Sequence, residues 1–90
     1  MARRKREYEA PDLEAAAVRM MRALVRRAEG GELEALEALA NLAKASEVQL
    51  VRGVHAYRQG PAEASWADIG RVLGTTRQNA QIRFGRKVGA

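Results

Sequence analysis

The sequence predicts an all-α fold: a four- to five-helix domain ending in a C-terminal helix-turn-helix. Three observations lead there. Apolar residues recur three and four apart through most of the chain, and no stretch alternates apolar with polar as a strand does. Gly30-Gly31 and Gly60-Pro61 punctuate those periodic stretches. A Gly-Thr-Thr break at 74–76 then divides two short amphipathic patterns, the second of them studded with Arg and Gln. A chain of 90 residues has room for one domain and a small core, so self-association is a natural supplement.

Residues 1–9 carry no apolar periodicity and are expected to form a disordered basic arm. Pro11 suits the first turn of a helix, where its missing N–H costs nothing, and Asp12 and Glu14 favour the positive end of the helix dipole. Leu13, Ala17, Met20, Leu24 and Ala28 fall at helical spacing and predict one buried face, with Arg19, Arg22, Arg26 and Arg27 around it. The paired glycines end this helix.

A second helix is expected from near Glu32, with Leu33, Leu36, Leu39, Ala40 and Ala43 on its apolar side and Leu42 widening the stripe. Ser46 followed by Gln49 resembles a capping box and allows a third helix to begin there. Ala45, Ser46 and Glu47 equally allow one long helix, so both readings of residues 32–58 stand. Val48, Val51, Val54 and His55 carry the apolar face onward, with Leu50 and Tyr57 beside it. Gly60-Pro61 stops the helix, and residues 59–65 form a polar connector. The expected organisation is thus an arm (1–9), a helical core and candidate dimerisation region (10–58), and a helix-turn-helix (65–87).

Ser65 and Asp68 form an S-x-x-D capping box, followed by Trp66, Ile69 and Leu73 on one helix face. Gly70 is expected where the two helices of the motif approach most closely, and Gly74 supplies the left-handed backbone of a sharp turn. Thr76 is the expected N-cap of the last helix, at about 76–87, with a Thr75–Gln78 box as its competitor. Ala80 and Phe84 then face back onto Ile69 and Leu73. The other side carries Arg77, Gln78, Gln81 and Ile82.

Those residue types suit the edges of base pairs. Arg bonds bidentately to guanine, Gln to adenine, and Ile packs on a thymine methyl. Thr76, Arg77, Gln78, Gln81 and Ile82 are therefore the expected base contacts. Ser65, Arg71, Arg83, Arg86 and Lys87 are the expected phosphate contacts, which position a protein without reading sequence.

The segment SWADIGRVLGTTRQNAQIRFG resembles helix-turn-helix DNA-binding proteins of actinobacteria and their phages, whose pattern is S-W-x-x-I-G-x-x-L-G-x-[ST]-R-Q-x-A-x-x-R-[FYW]. The matching positions are Ser65, Trp66, Ile69, Gly70, Leu73, Gly74, Thr76, Arg77, Gln78, Ala80, Arg83 and Phe84. It is also distantly similar to the promoter-reading C-terminal region of bacterial sigma factors. The resemblance covers about a quarter of the chain and implies DNA binding through the second helix, with Arg77 and Gln78 at its leading edge. Thr75 departs from the apolar residue usual in the family's turn, and Asn79 fills a slot that is often small.

Charge agrees with a polyanionic partner. Of the net +5, Arg3, Arg4, Lys5 and Arg6 contribute +4, residues 7–64 sum to −3, and residues 65–90 sum to +4. The basic arm is a candidate for nonspecific phosphate contact. With no cysteine, the chain has no disulfide, thiolate metal site or thiol nucleophile. The single His55 lacks a companion ligand and reads as a surface or core histidine rather than a metal ligand. No apolar run approaches the ~20 residues that span a bilayer. The carboxylates are scattered over helix faces and no Gly-rich phosphate loop occurs, so no catalytic residues, cofactor, metal or small-molecule substrate is expected.

The expectation is a small cytoplasmic, nucleoid-associated protein that binds double-stranded DNA sequence-specifically and regulates transcription. A homodimer through residues 13–57 would supply the second reading unit. The alternative is a helical interaction module, for example a phage factor that binds a host regulator or polymerase through residues 13–57.

Overall fold

The computed structural model describes residues 9–85, and every regular element among them is helical. There are four helices: α1 (Ala10–Glu29), α2 (Leu33–Gln59), α3 (Trp66–Leu73) and α4 (Arg77–Phe84). The basic arm Arg3–Arg6 and the residues Arg86 and Lys87 lie outside the described residues.

The backbone N–H of Glu9 donates to Asp12 Oδ2 (3.3 Å) at the start of α1, with Pro11 in the first turn. Arg26 and Arg27 occupy its last turn, where cations suit the dipole. Gly31 then adopts φ +97°, a left-handed conformation that lets the chain reverse. Across this turn Arg27 forms a two-pronged pair with Glu32, at 2.8 and 3.0 Å. The hydrogen bond to Glu32, and then its charge, raise the arginine's pKa.

Residues 32–58 resolve into one continuous helix from Leu33, which runs without interruption through Ala45-Ser46-Glu47. Its 27 residues stop at Gln59, before Gly60-Pro61. The residue before a proline is driven out of the helical region, which fixes the stop.

The chain divides within α2 into two compact units, one ending at Ala43 and one beginning at Lys44. In the first unit the structure corrects the expected buried faces. No residue of α1 is buried. Leu13 is 56% and Met20 68% exposed, while on α2 Leu33 and Leu36 are 73% and 57% exposed. The residue that is buried is Ala35. The physical reason is geometric. A pair of helices shields only the line along which they meet, whereas an amphipathic stripe is 100° wide or more.

The second unit has a proper core. Val54 of α2, Ile69 of α3 and Ala80 and Phe84 of α4 are buried together, flanked by Leu50, Val51, Ala64, Trp66 and Leu73. Burying a side chain such as Phe84 stabilises the unit by roughly 1.5–3 kcal/mol. Val48 and Tyr57, read from the sequence on or beside this apolar face, are instead about half exposed.

Candidate nucleic-acid interface

Ser65 caps α3: its Oγ accepts the Asp68 N–H at 3.1 Å. The Asp68 carboxylate accepts in turn from Arg71 Nη2 at 2.5 Å. Arg71 first, and Ser65 second, hold the Asp68 carboxyl below its usual range. Trp66 is half-buried against the core, with the Arg58 guanidinium 4.2 Å from its ring centroid. Such a cation over an indole face adds attraction beyond packing.

The turn from α3 to α4 is built on two glycines with different tasks. Gly74 takes φ +74° as the C-cap of α3. Gly70 is buried, and a Cβ placed on it would lie 2.8 Å from the Thr75 carbonyl oxygen and 2.9 Å from the Thr76 carbonyl. The close approach is therefore between α3 and the turn backbone, locked by the Thr75 N–H donating to Gly70 O at 2.7 Å. Thr76, not Thr75, is the N-cap of α4, its Oγ1 accepting the Asn79 N–H at 3.0 Å.

At 100° per residue, α4 presents distinct stripes. Ala80 and Phe84 point inward and are essentially fully buried. Gln78 and Ile82 form the opposite crest, flanked by Arg77 and Gln81 on one side and Asn79 and Arg83 on the other. All six are exposed, Ile82 by 69%.

Thr76, Arg77, Gln78, Gln81 and Ile82, the expected base contacts, thus lie together along one outward side of α4 and its cap. Their chemistry is not equivalent. The Thr76 oxygen already accepts the cap bond, which leaves the hydroxyl its proton, suited to an anionic oxygen, and one further lone pair. Ser65 caps α3 in the same way, but its side chain also bonds the Asp68 carboxylate.

Of the expected phosphate contacts among the described residues, Arg71 is paired with Asp68 and Arg83 with Glu47, each at 2.5 Å. Glu47 escaped the sequence reading because it lies 36 residues from Arg83, and no local pattern links them. Asn79 joins the outward flank through its position alone, four residues before Arg83.

A separate open groove of about 610 Å³, lined by Leu50, Tyr57, Ile69 and Val72 among others, takes no residue from α4. His55 is half-buried, with an Nε2 that has no hydrogen-bond partner. No group of three His, Cys, Asp or Glu side chains able to hold a metal occurs among the described residues. No described helix is long and apolar enough to cross a membrane. Compared with known proteins, the chain matches no family model, no curated protein and no solved structure.

Proposed function

We propose that α3 and α4 form a helix-turn-helix through which this chain binds double-stranded DNA, α4 entering the major groove, and that the protein regulates transcription from the nucleoid. The observation that carries this reading is the two-sided character of α4. Ala80 and Phe84 anchor it from behind, while Arg77, Gln78, Gln81 and Ile82 stand exposed on a short, rigidly capped helix. A helix serving only to pack would have no use for a row of guanidinium and carboxamide groups whose hydrogen-bonding geometry matches base edges.

Fluorescence polarisation with duplex DNA across a salt series tests the proposal. Binding weakens steeply with salt as counterions are released. Random-library selection of bound duplexes then identifies the preferred site. Arg77→Ala with Gln78→Ala reduces discrimination between that site and random DNA by about 1–3 kcal/mol for each base pair whose bidentate contact is lost. Removing Arg86 and Lys87 weakens all sequences alike. Identical behaviour of the two double variants refutes the division of roles.

One motif of this size reads only a few base pairs, so useful specificity needs a second copy. The first unit supports that role. Leu13, Met20, Leu33 and Leu36 are more than half exposed, an apolar surface that favours a partner. The interaction-module alternative draws on the same surface, and charge argues for self-recognition. Apart from Arg27 and Glu32, which pair within one copy, residues 19–26 carry Arg19, Arg22 and Arg26 without an acid, whereas residues 33–37 carry Glu34 and Glu37 without a base. The α1 of one copy is complementary to the start of α2 in another. Sedimentation at micromolar concentrations is expected to show a dimer, and Met20→Glu with Leu36→Glu a monomer. A wild-type monomer at high micromolar concentration defeats this part of the proposal.

A further inference from the structure

We propose that Glu47 is an internal stand-in for a DNA phosphate: its carboxylate occupies the place on Arg83 that the backbone of one DNA strand takes on binding. The inference rests on the DNA-binding reading above and adds to it where the strand runs and what restrains the affinity. Glu47 Oε2 accepts from Arg83 Nη2 at 2.5 Å, joining α2 to α4. The same guanidinium lies 4.8 Å from the ring centroid of Phe84, itself buried. Arg83 is therefore oriented from two sides, towards the flank of α4 that faces α2, and both partners of the pair remain more than half exposed.

An oriented, exposed guanidinium holding a carboxylate is chemically prepared for the other planar-fork acceptor, a phosphate. Arg77 stands in contrast. Among the described residues of α3 and α4 it is the arginine with no carboxylate partner, since Arg71 is held by Asp68. The two ends of α4 differ accordingly. Its start offers a free arginine for a base edge, and its end offers one that DNA must win from Glu47. Because a phosphate contact is blind to sequence, Glu47 lowers affinity for every duplex alike and leaves the choice of site to the crest.

The test measures binding of the full chain to a random-sequence duplex by polarisation over a salt series, with melting followed through Trp66 to confirm folding. Glu47→Gln is compared with Glu29→Gln, an exposed acid on α1 that makes the same change in net charge. The expected result is that E47Q binds roughly two- to fivefold more tightly than E29Q at low salt, the range over which exposed ion pairs act. Its plot of log K against log salt keeps the slope of E29Q, because Arg83 neutralises one phosphate in either complex, whereas Arg83→Gln flattens the plot by about 0.9. Adding Arg83→Gln abolishes the gain, so that E47Q/R83Q binds as E29Q/R83Q does. An E47Q variant indistinguishable from E29Q, or a gain that survives R83Q, overturns the inference while leaving DNA binding standing. Absence of any salt-dependent binding by the wild-type chain overturns the DNA-binding reading itself, and this inference with it.

Discussion

Truncating Phe84 to alanine is expected to unfold the second unit at temperatures the wild-type chain withstands, with a loss of about 3–5 kcal/mol. Phe84 is 1% exposed and is the largest side chain to be buried so completely among the described residues. It joins Val54, Ile69 and Ala80, contributed by α2, α3 and α4 itself. With so few residues in that core, no neighbour is free to fill the space, and a cavity remains. Native domains are stable by only about 5–15 kcal/mol, and small ones sit at the low end, so the loss consumes most of the margin. Trp66, the sole tryptophan, lies against this core and reports the transition by fluorescence during urea unfolding. Ile82→Ala is the internal comparison. It removes an apolar side chain two residues away on the same helix, but one that is 69% exposed, and is expected to change stability by less than about 0.5 kcal/mol. Equal effects at the two positions would mean that α4 is not seated as described.

Gly70 and Gly53 are expected to respond to alanine with opposite signs. In a helix interior, alanine normally stabilises relative to glycine by about 0.5–1 kcal/mol. Gly53 lies within α2 with nothing within 4 Å of an added Cβ, so G53A is expected to show that gain. At Gly70 the added atom meets the carbonyls of Thr75 and Thr76 at 2.8–2.9 Å. These are backbone atoms of a turn held at both ends, by the Thr75 N–H on Gly70 O and by the Thr76 cap, and they have little room to move. G70A is expected to cost about 1–3 kcal/mol despite its better propensity. Urea unfolding of both variants measures the difference. A stabilised G70A would show that α3 and the turn are not in contact.

The segment from Ser65 to Phe84, α3, turn and α4, was legible because its requirements are local. A cap at Ser65 bonding Asp68, a left-handed residue at Gly74 and a cap at Thr76 are each set by side chains within three or four positions of one another. The inward pair Ala80 and Phe84 follows from helical periodicity alone. Only the choice between Thr75 and Thr76 as the cap stayed open, because both offer a hydroxyl at the right spacing.

The faces of α1 and early α2 were legible as apolar but not as exposed. Leu13 and Met20 show where an apolar stripe lies, yet periodicity carries no information on whether another element is present to cover it. The Glu47–Arg83 pair was invisible for a related reason. Its partners lie 36 residues apart, and one charged residue among sixteen basic and eleven acidic ones carries no mark of its mate.

Local chemistry, then, was enough to specify helices, caps, turn and the outward row of Arg77, Gln78, Gln81 and Ile82, since bonds between near neighbours in the chain dictate each of them. Three-dimensional packing settled that the second half of α2 shares a core with α3 and α4 and that Arg83 is held by Glu47, while the unbroken run of α2 through its exposed middle was one of two local readings between which only the structure decided. Contacts between distant residues depend on which surfaces meet, and helical periodicity records only that such surfaces exist.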